Sequence, residues 1–475
     1  MEINKTNVRD PVMRVITTSA LVSLLLGACQ PQSDLGVSGL AIDDDDIAGV
    51  VTSTDGPEAG VWVIAETDDL GTRFARIVVT DDEGRYVIPD LPEADYQLWV
   101  RGYGLVDSDK VAAERGELLD LNATVAPDAA AAAQVYPAAY WFSMMHLPTE
   151  DEVAQVDGGM NAYLTWVKNM GCVGCHQLGN ERTRTIPASL ADVASSEEAW
   201  ARRISSGQAG NSMIGLATGR LKGLPIKYMA EWTDRIAAGE LPHEVPERPS
   251  GVERNVVATV RDWSSPQFYM HDLSGTDRRD PTVNGYGKLY GAPELSTDEM
   301  PVLDPTANTA SVFNVPVRDD DTPTTNDAPV VSPSPYWGDE RIWDSKSNIH
   351  NPMLDQDGRV WVTARIRGPQ NPDFCREGSE HPSAMLYPKE RTGRQLAVLD
   401  PSTGEYTFVD TCFSTHHLQF ACDETNTLWT SGGGDVVGWL DTNKFLETGD
   451  AAGSQGWAPL ILDTNGNGRQ DAWTE

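Results

Sequence analysis

At 475 residues the chain is too long for one ordinary domain, and its 40% hydrophobic content is enough to build packed cores. The formal net charge of -35 repels phosphate backbones and anionic lipid, which sets the chain against nucleic-acid binding. Such a surface suits high ionic strength or the steering of a basic protein partner, and a salty habitat accounts for it equally well.

Basic residues Lys5, Arg9 and Arg14 precede an apolar run at 15–28 that is too short to span a bilayer as a mature helix. The run ends Leu-Gly-Ala-Cys at Cys29 and resembles the lipobox of bacterial lipoproteins. The resemblance implies a signal peptide at 1–29 and lipidation of Cys29; an ordinary secretory signal with a stray cysteine is the alternative. Gln30, where that family places Asp for inner-membrane retention, implies outer-membrane anchoring with a periplasmic or cell-surface body. No later run reaches transmembrane length, and everything after Cys29 is expected to fold in an oxidising compartment. Residues 30–46 are polar and suit a tether.

From 47 to 126 short runs rich in Val, Ile, Trp and Tyr alternate with Gly, Pro and Asp, the pattern of a small β-sandwich. Ile47–Val51, Gly60–Ala65 and the Thr-Asp-Asp-Glu-Gly-Arg-Tyr segment at 80–86 resemble the carboxypeptidase regulatory-like (transthyretin-like) family. That resemblance implies a spacer or binding module without catalysis.

An alanine-rich stretch at 126–137, read as a linker or a short helix, opens a linker at 127–149, and 150–242 is helical in texture. Helices are predicted at 160–170, 196–206 and 225–238. The last two share Trp-x-x-Arg-Ile-x-x-Gly (Trp200, Arg203, Ile204, Gly207; Trp232, Arg235, Ile236, Gly239), which is sound helix grammar and needs no function. Residues 243–340, rich in Pro, Asp and Thr, read as a long irregular connector. From 341 to 475 two rounds of strand, Asp turn, Trp-bearing strand and Leu-Asp strand follow, with Trp361 and Trp429 in matching places. They resemble blades of the streptogramin-lyase-like propellers. Two blades fall short of the roughly four to eight a closed propeller needs, so the propeller is expected to be incomplete and the chain a fragment ending at Glu475. The fold class expected is thus multidomain: a β-sandwich, an all-α domain and partial propeller blades.

The strongest chemical signal is Cys-Val-Gly-Cys-His at 172–176. With six Cys and eight His in 475 residues, chance placement of Cys-x-x-Cys-His has an expectation of about 0.001. Thiols one turn apart can add to the two vinyl groups of a haem while the next imidazole meets the iron. A thioredoxin-type dithiol needs a βαβ context, and zinc needs a second ligand pair; neither lies nearby. A plain disulfide at this spacing is strained.

The surroundings resemble a class I cytochrome c. That resemblance implies one covalent haem c held by Cys172 and Cys175, His176 as proximal ligand and Met213 as sixth ligand, with Met229, Met270 and His146 as other choices for the cap. Met170 is too close in sequence to cross the ring. It also matches Pro187 to the proline whose carbonyl accepts from the proximal histidine, although the glycine usual before it is absent. Arg182 and Arg184 are candidates to neutralise propionates, or simply surface charges. Met/His ligation closes the iron to substrates and implies electron transfer.

Of the remaining cysteines, Cys375, Cys412 and Cys422, the first two are expected to pair. The run at 463–471 places Asp463, Asn465, Asn467 and Asp471 at calcium-loop positions, but Thr474 stands where a carboxylate is expected, so calcium and an Asx-rich turn are both open. His350, His416 and His417 recur at the starts of the two rounds, either as satisfied turn histidines or as residues converging on a propeller axis. The function expected is haem-dependent electron transfer between this lipid-anchored protein and a redox partner protein or propeller-associated activity. The alternatives are a propeller lyase or hydrolase, or a module binding a carbohydrate, protein or small-molecule ligand, each with an accessory haem.

Overall fold

The computed structural model describes residues 42–325, 334–338, 340–421, 423–431 and 435–460. Cys29 with the leader, Cys422 and the Asp463–Asp471 segment lie outside the described residues.

The chain is multidomain in character, with several β-sheets and one group of helices. Strand Ile47–Ser53 pairs antiparallel with Arg85–Ile88 in one sheet, and Trp62–Thr67 lies between Arg73–Val79 and Tyr96–Arg101 in another. Alternating residues face inward, and Val63, Phe74, Tyr86, Ile88, Tyr96 and Leu98 share one core. The open edge of Arg73–Val79 is covered by Ala258–Asp262, from the stretch expected to be irregular. Pairing from Ala258↔Ile77 to Asp262↔Arg73 satisfies an edge that would otherwise invite aggregation.

The helices from Ala129 to Ala237 enclose a second core. Trp200 and Trp232 are both buried in it, which explains the repeated Trp-x-x-Arg-Ile pattern as architecture. Trp232 Nε1 donates to the Trp141 carbonyl at 2.8 Å, and Trp200 Nε1 to Thr233 Oγ1 at 3.1 Å. Ser195 caps helix Ser196–Ser205 by accepting from the Glu198 N–H, and Gly239 leaves helix Leu224–Ala237 in the left-handed region at φ 97°. The stretch 127–149 differs from a free linker: Ala133, Tyr136, Trp141, Met144 and Met145 are buried in this core. Removing that much apolar surface from water outweighs the alanine-rich, linker-like texture.

Beyond residue 270 the chain forms three successive four-stranded antiparallel sheets where two rounds are predicted. The first runs Asp272–Leu273, Leu289–Ala292, Glu299–Asp304 and Thr309–Asn314. The second runs His350–Leu354, Val360–Ala364, Gln395–Asp400 and Glu405–Val409, with Gly275–Thr276 added in parallel outside its first strand. The third runs His417–Phe420, Thr427–Ser431, Val436–Asp441 and Gln455–Pro459. One apolar core joins the first sheet to the second and another joins the second to the third. The first strands also touch in order, Asp272–Leu273 against His350–Leu354 and that strand against His417–Phe420. Among the described residues no strand of the third sheet pairs with the first. Trp361 and Trp429 both sit on second strands, but Trp361 is fully buried and Trp429 is 40% exposed.

Cys375 and Cys412 form a disulfide buried against Phe413 and Trp457. No helix among the described residues is long and apolar enough to cross a membrane.

Candidate functional site

Cys172–Cys175 is one helical turn, closed by the His176 N–H donating to the Cys172 carbonyl at 2.9 Å. It follows a π-helical stretch, Thr165–Asn169, and Gly171 makes the junction. A Cβ at Gly171 would meet the Trp166 carbonyl oxygen at 2.3 Å, so only glycine lets the motif turn this tightly. Neither thiol is in a disulfide. Burial, then the neighbouring Cys175, push the Cys172 thiol pKa up, the opposite of a nucleophilic redox cysteine. Among the described residues neither cysteine belongs to a group of ligands spaced for a metal ion. His176 reaches solvent, and desolvation together with the Arg203 guanidinium lowers its pKa, keeping the imidazole neutral.

Met213 is half-buried on helix Gly210–Ile214, its methyl packed beside Gly207, and a second π-helical stretch, Gly215–Arg220, follows it. The Arg220 guanidinium lies 5.0 Å over the Trp166 ring, so the segment entering Cys172 meets the segment leaving Met213. Single π-turns of this kind gather at functional sites. The other candidate caps are engaged elsewhere. Met229 is buried in the helical core, and Met270 packs on Gly291 of the first sheet. His146 Nδ1 pairs with Glu231 Oε1 at 2.8 Å.

The Pro187 carbonyl accepts from the Leu190 N–H at 2.9 Å, closing a 3-10 turn. Arg184 is buried, 4.3 Å over the Trp141 ring and donating to the Gly179 carbonyl and Gln134 Oε1, which makes it a packing residue and not a propionate partner. Arg182 is exposed, and its carbonyl accepts from Arg203.

A second cluster lies where the three first strands meet. His350 is fully buried, with ring centroids of His416, His271 and His417 at 4.3, 4.7 and 5.2 Å. Asp272 Oδ2 is 2.7 Å from His350 Nδ1 but off the hydrogen-bond direction, so both ring nitrogens lack a hydrogen bond. Each such orphan costs about 1–3 kcal/mol. Burial lowers the His350 pKa to about 4 against the pull of Glu294 and Asp272. Burial alone would raise Glu294, but an ion pair with Arg394 holds it below its ordinary value.

The two clusters adjoin. Tyr269, two residues before His271, has its pKa raised to about 12 by burial and then by contact with the Cys175 thiol. Gln208, between Trp200 and Met213, donates to the Glu294 carbonyl at 3.0 Å and accepts from Ser296 Oγ at 2.9 Å. His271, Asp272, Glu294 and Tyr269 escape a reading by sequence because the first sheet itself does. The signal that finds it is Val302-Leu303-Asp304-Pro305, a repeat of Val398-Leu399-Asp400-Pro401. Asp304 and Asp400 both cap the following turn by accepting from an N–H two residues on, at 3.1 and 2.9 Å. Two surface clefts among the described residues, around Phe374–His381 and around Trp62, Trp99 and Arg261, contain no residue of either cluster.

No family model and no curated protein matches this chain. Among solved structures a match is found to the crystal structure of catechol 1,2-dioxygenase from Pseudomonas arvilla C-1, at 16% identity and a TM-score of 0.15. It covers 18% of this chain and 54% of that one, a likeness too slight to bear on fold or function.

Proposed function

We propose that the protein is a c-type cytochrome of multidomain build, carrying electrons between a haem on its helical unit and its three-sheet unit or a redox partner protein docked there. The single observation behind this reading is the Cys172–His176 turn, with two thiols free of any disulfide one turn apart and an accessible imidazole next to them. Cys172 and Cys175 would anchor the haem by thioethers, His176 would hold the iron, and Met213 would cap it. When bound, the haem supplies reversible one-electron transfer. The protein's part is to hold the group and keep a short path to the neighbouring sheets, which the Cys175–Tyr269 contact and the Gln208–Glu294 hydrogen bond support. The blade-like sheets support a partial propeller, and the lipobox-like Leu-Gly-Ala-Cys supports membrane attachment through Cys29 alone.

Expression with the bacterial cytochrome maturation machinery tests the cofactor: a haem stain surviving denaturing electrophoresis supports it, and an unstained chain contradicts it. Palmitate labelling that persists in Cys29→Ser overturns the anchor.

A further inference from the structure

We propose that His350, His416 and His417, backed by His271 and Asp272, form a binding site for a divalent first-row transition-metal ion, with copper the tightest of the series. One nitrogen from each of His350, His416 and His417 lies within 4.8 Å of the others, and so do one nitrogen each of His271 and His350 and a carboxylate oxygen of Asp272. A tetrahedral ion about 2.1 Å from each nitrogen would hold them about 3.4 Å apart. The closure required is at most about 1.4 Å, within reach of the more exposed His416 and His417 rings.

Four features point to a ligand. The histidines come from the first strands, or the residues directly preceding them, of three different sheets, so the fold gathers them and no local turn demands them. His350 is fully buried with both ring nitrogens unsatisfied. A structural histidine in this chain looks different: His381 Nδ1 accepts from the Ser383 N–H at 3.2 Å, while Nε2 lies 3.1 Å from the Ala452 carbonyl. Finally, a small rotation of His350 would bring Nδ1–H onto Asp272, the carboxylate–histidine arrangement that leaves Nε2 for an ion. Imidazole donors select copper, zinc, iron or nickel over calcium and magnesium, and copper stands highest in affinity among divalent ions. His417 is exposed, which leaves one side of the ion open to a further ligand.

The site stands independently of the haem, and its test keeps the two apart. The full-length chain, with haem attached or with Cys172 and Cys175 alkylated, is titrated with copper(II) and zinc(II) by calorimetry and, for copper, by electron paramagnetic resonance. The expected result is one ion per chain, with nitrogen hyperfine structure in the copper spectrum. The His416→Ala/His417→Ala double variant, altered at the accessible rings, should bind at least 100-fold more weakly, and Asp272→Asn 10–100-fold more weakly. His243→Ala, at an exposed histidine outside the cluster, should bind as the parent does. Absence of stoichiometric binding by the parent chain, or binding that survives the double variant, overturns the proposal.

Discussion

Gln208 Nε2 donates to the main-chain carbonyl of Glu294 at 3.0 Å, and Glu294 Oε2 in turn lies 3.8 Å from His350 Nδ1. One residue of the segment before Met213 thus touches the residue whose carboxylate faces the histidine cluster.

Gln208→Ala removes two hydrogen bonds at this junction. At about 0.5–1.5 kcal/mol each, the loss should be about 1–3 kcal/mol, read as a lower urea midpoint. A change below about 0.5 kcal/mol would show that the junction is not held by this side chain.

Met213→Ala should leave the haem attached while abolishing the weak far-red charge-transfer band expected of Met/His ligation. Met229→Ala should do the reverse, keeping the band and losing about 2–5 kcal/mol of stability, because Met229 is packed in the helical core. Optical spectra and denaturation of the two variants together separate ligand from core. A band that persists in Met213→Ala excludes Met213 as the cap.

The Cys375–Cys412 disulfide closes a loop of 37 residues. Loop-closure entropy puts its contribution at about 4 kcal/mol. Cys375→Ala/Cys412→Ala should therefore lower the denaturation midpoint markedly, and reductant should have no further effect on the variant.

Glu152 accepts from Tyr228 Oη at 2.7 Å and the Thr149 N–H at 2.8 Å, and it pairs with Lys227. These donors, Lys227 first, lower its pKa from an ordinary 4.5 to about 2. Because the folded value lies below the unfolded one, the stabilisation is complete above about pH 4.5 and fades as pH falls toward 2. Thermal melts from pH 6 to pH 2 should show a steeper decline for the parent than for Glu152→Gln. Parallel curves would contradict the assignment.

Local signals were legible in the sequence and long-range ones were not. The Cys-x-x-Cys-His motif, Trp200 and Trp232 are written in neighbouring residues; the structure places both tryptophans on the expected helices and folds the two cysteines into one helical turn. The first sheet was hidden because its opening strand, Asp272–Leu273, is only two residues and Pro301 interrupts the third. With that sheet unseen, His271 and Asp272 had no visible relation to His350. The strand Ala258–Asp262 was equally silent, since its pairing partner Arg73–Val79 lies far earlier in the chain. The buried linker escaped because Trp141, Met144 and Met145 follow an alanine run that reads as a spacer.

Covalent haem at Cys172 and Cys175 carries the account. The most direct measurement is mass spectrometry of the peptide containing residues 172–176, from protein made with the maturation machinery, alongside its pyridine haemochrome spectrum. One haem per chain, with both thiols consumed and refractory to alkylation, is the predicted result. A peptide of unmodified mass whose two thiols both alkylate would contradict the account.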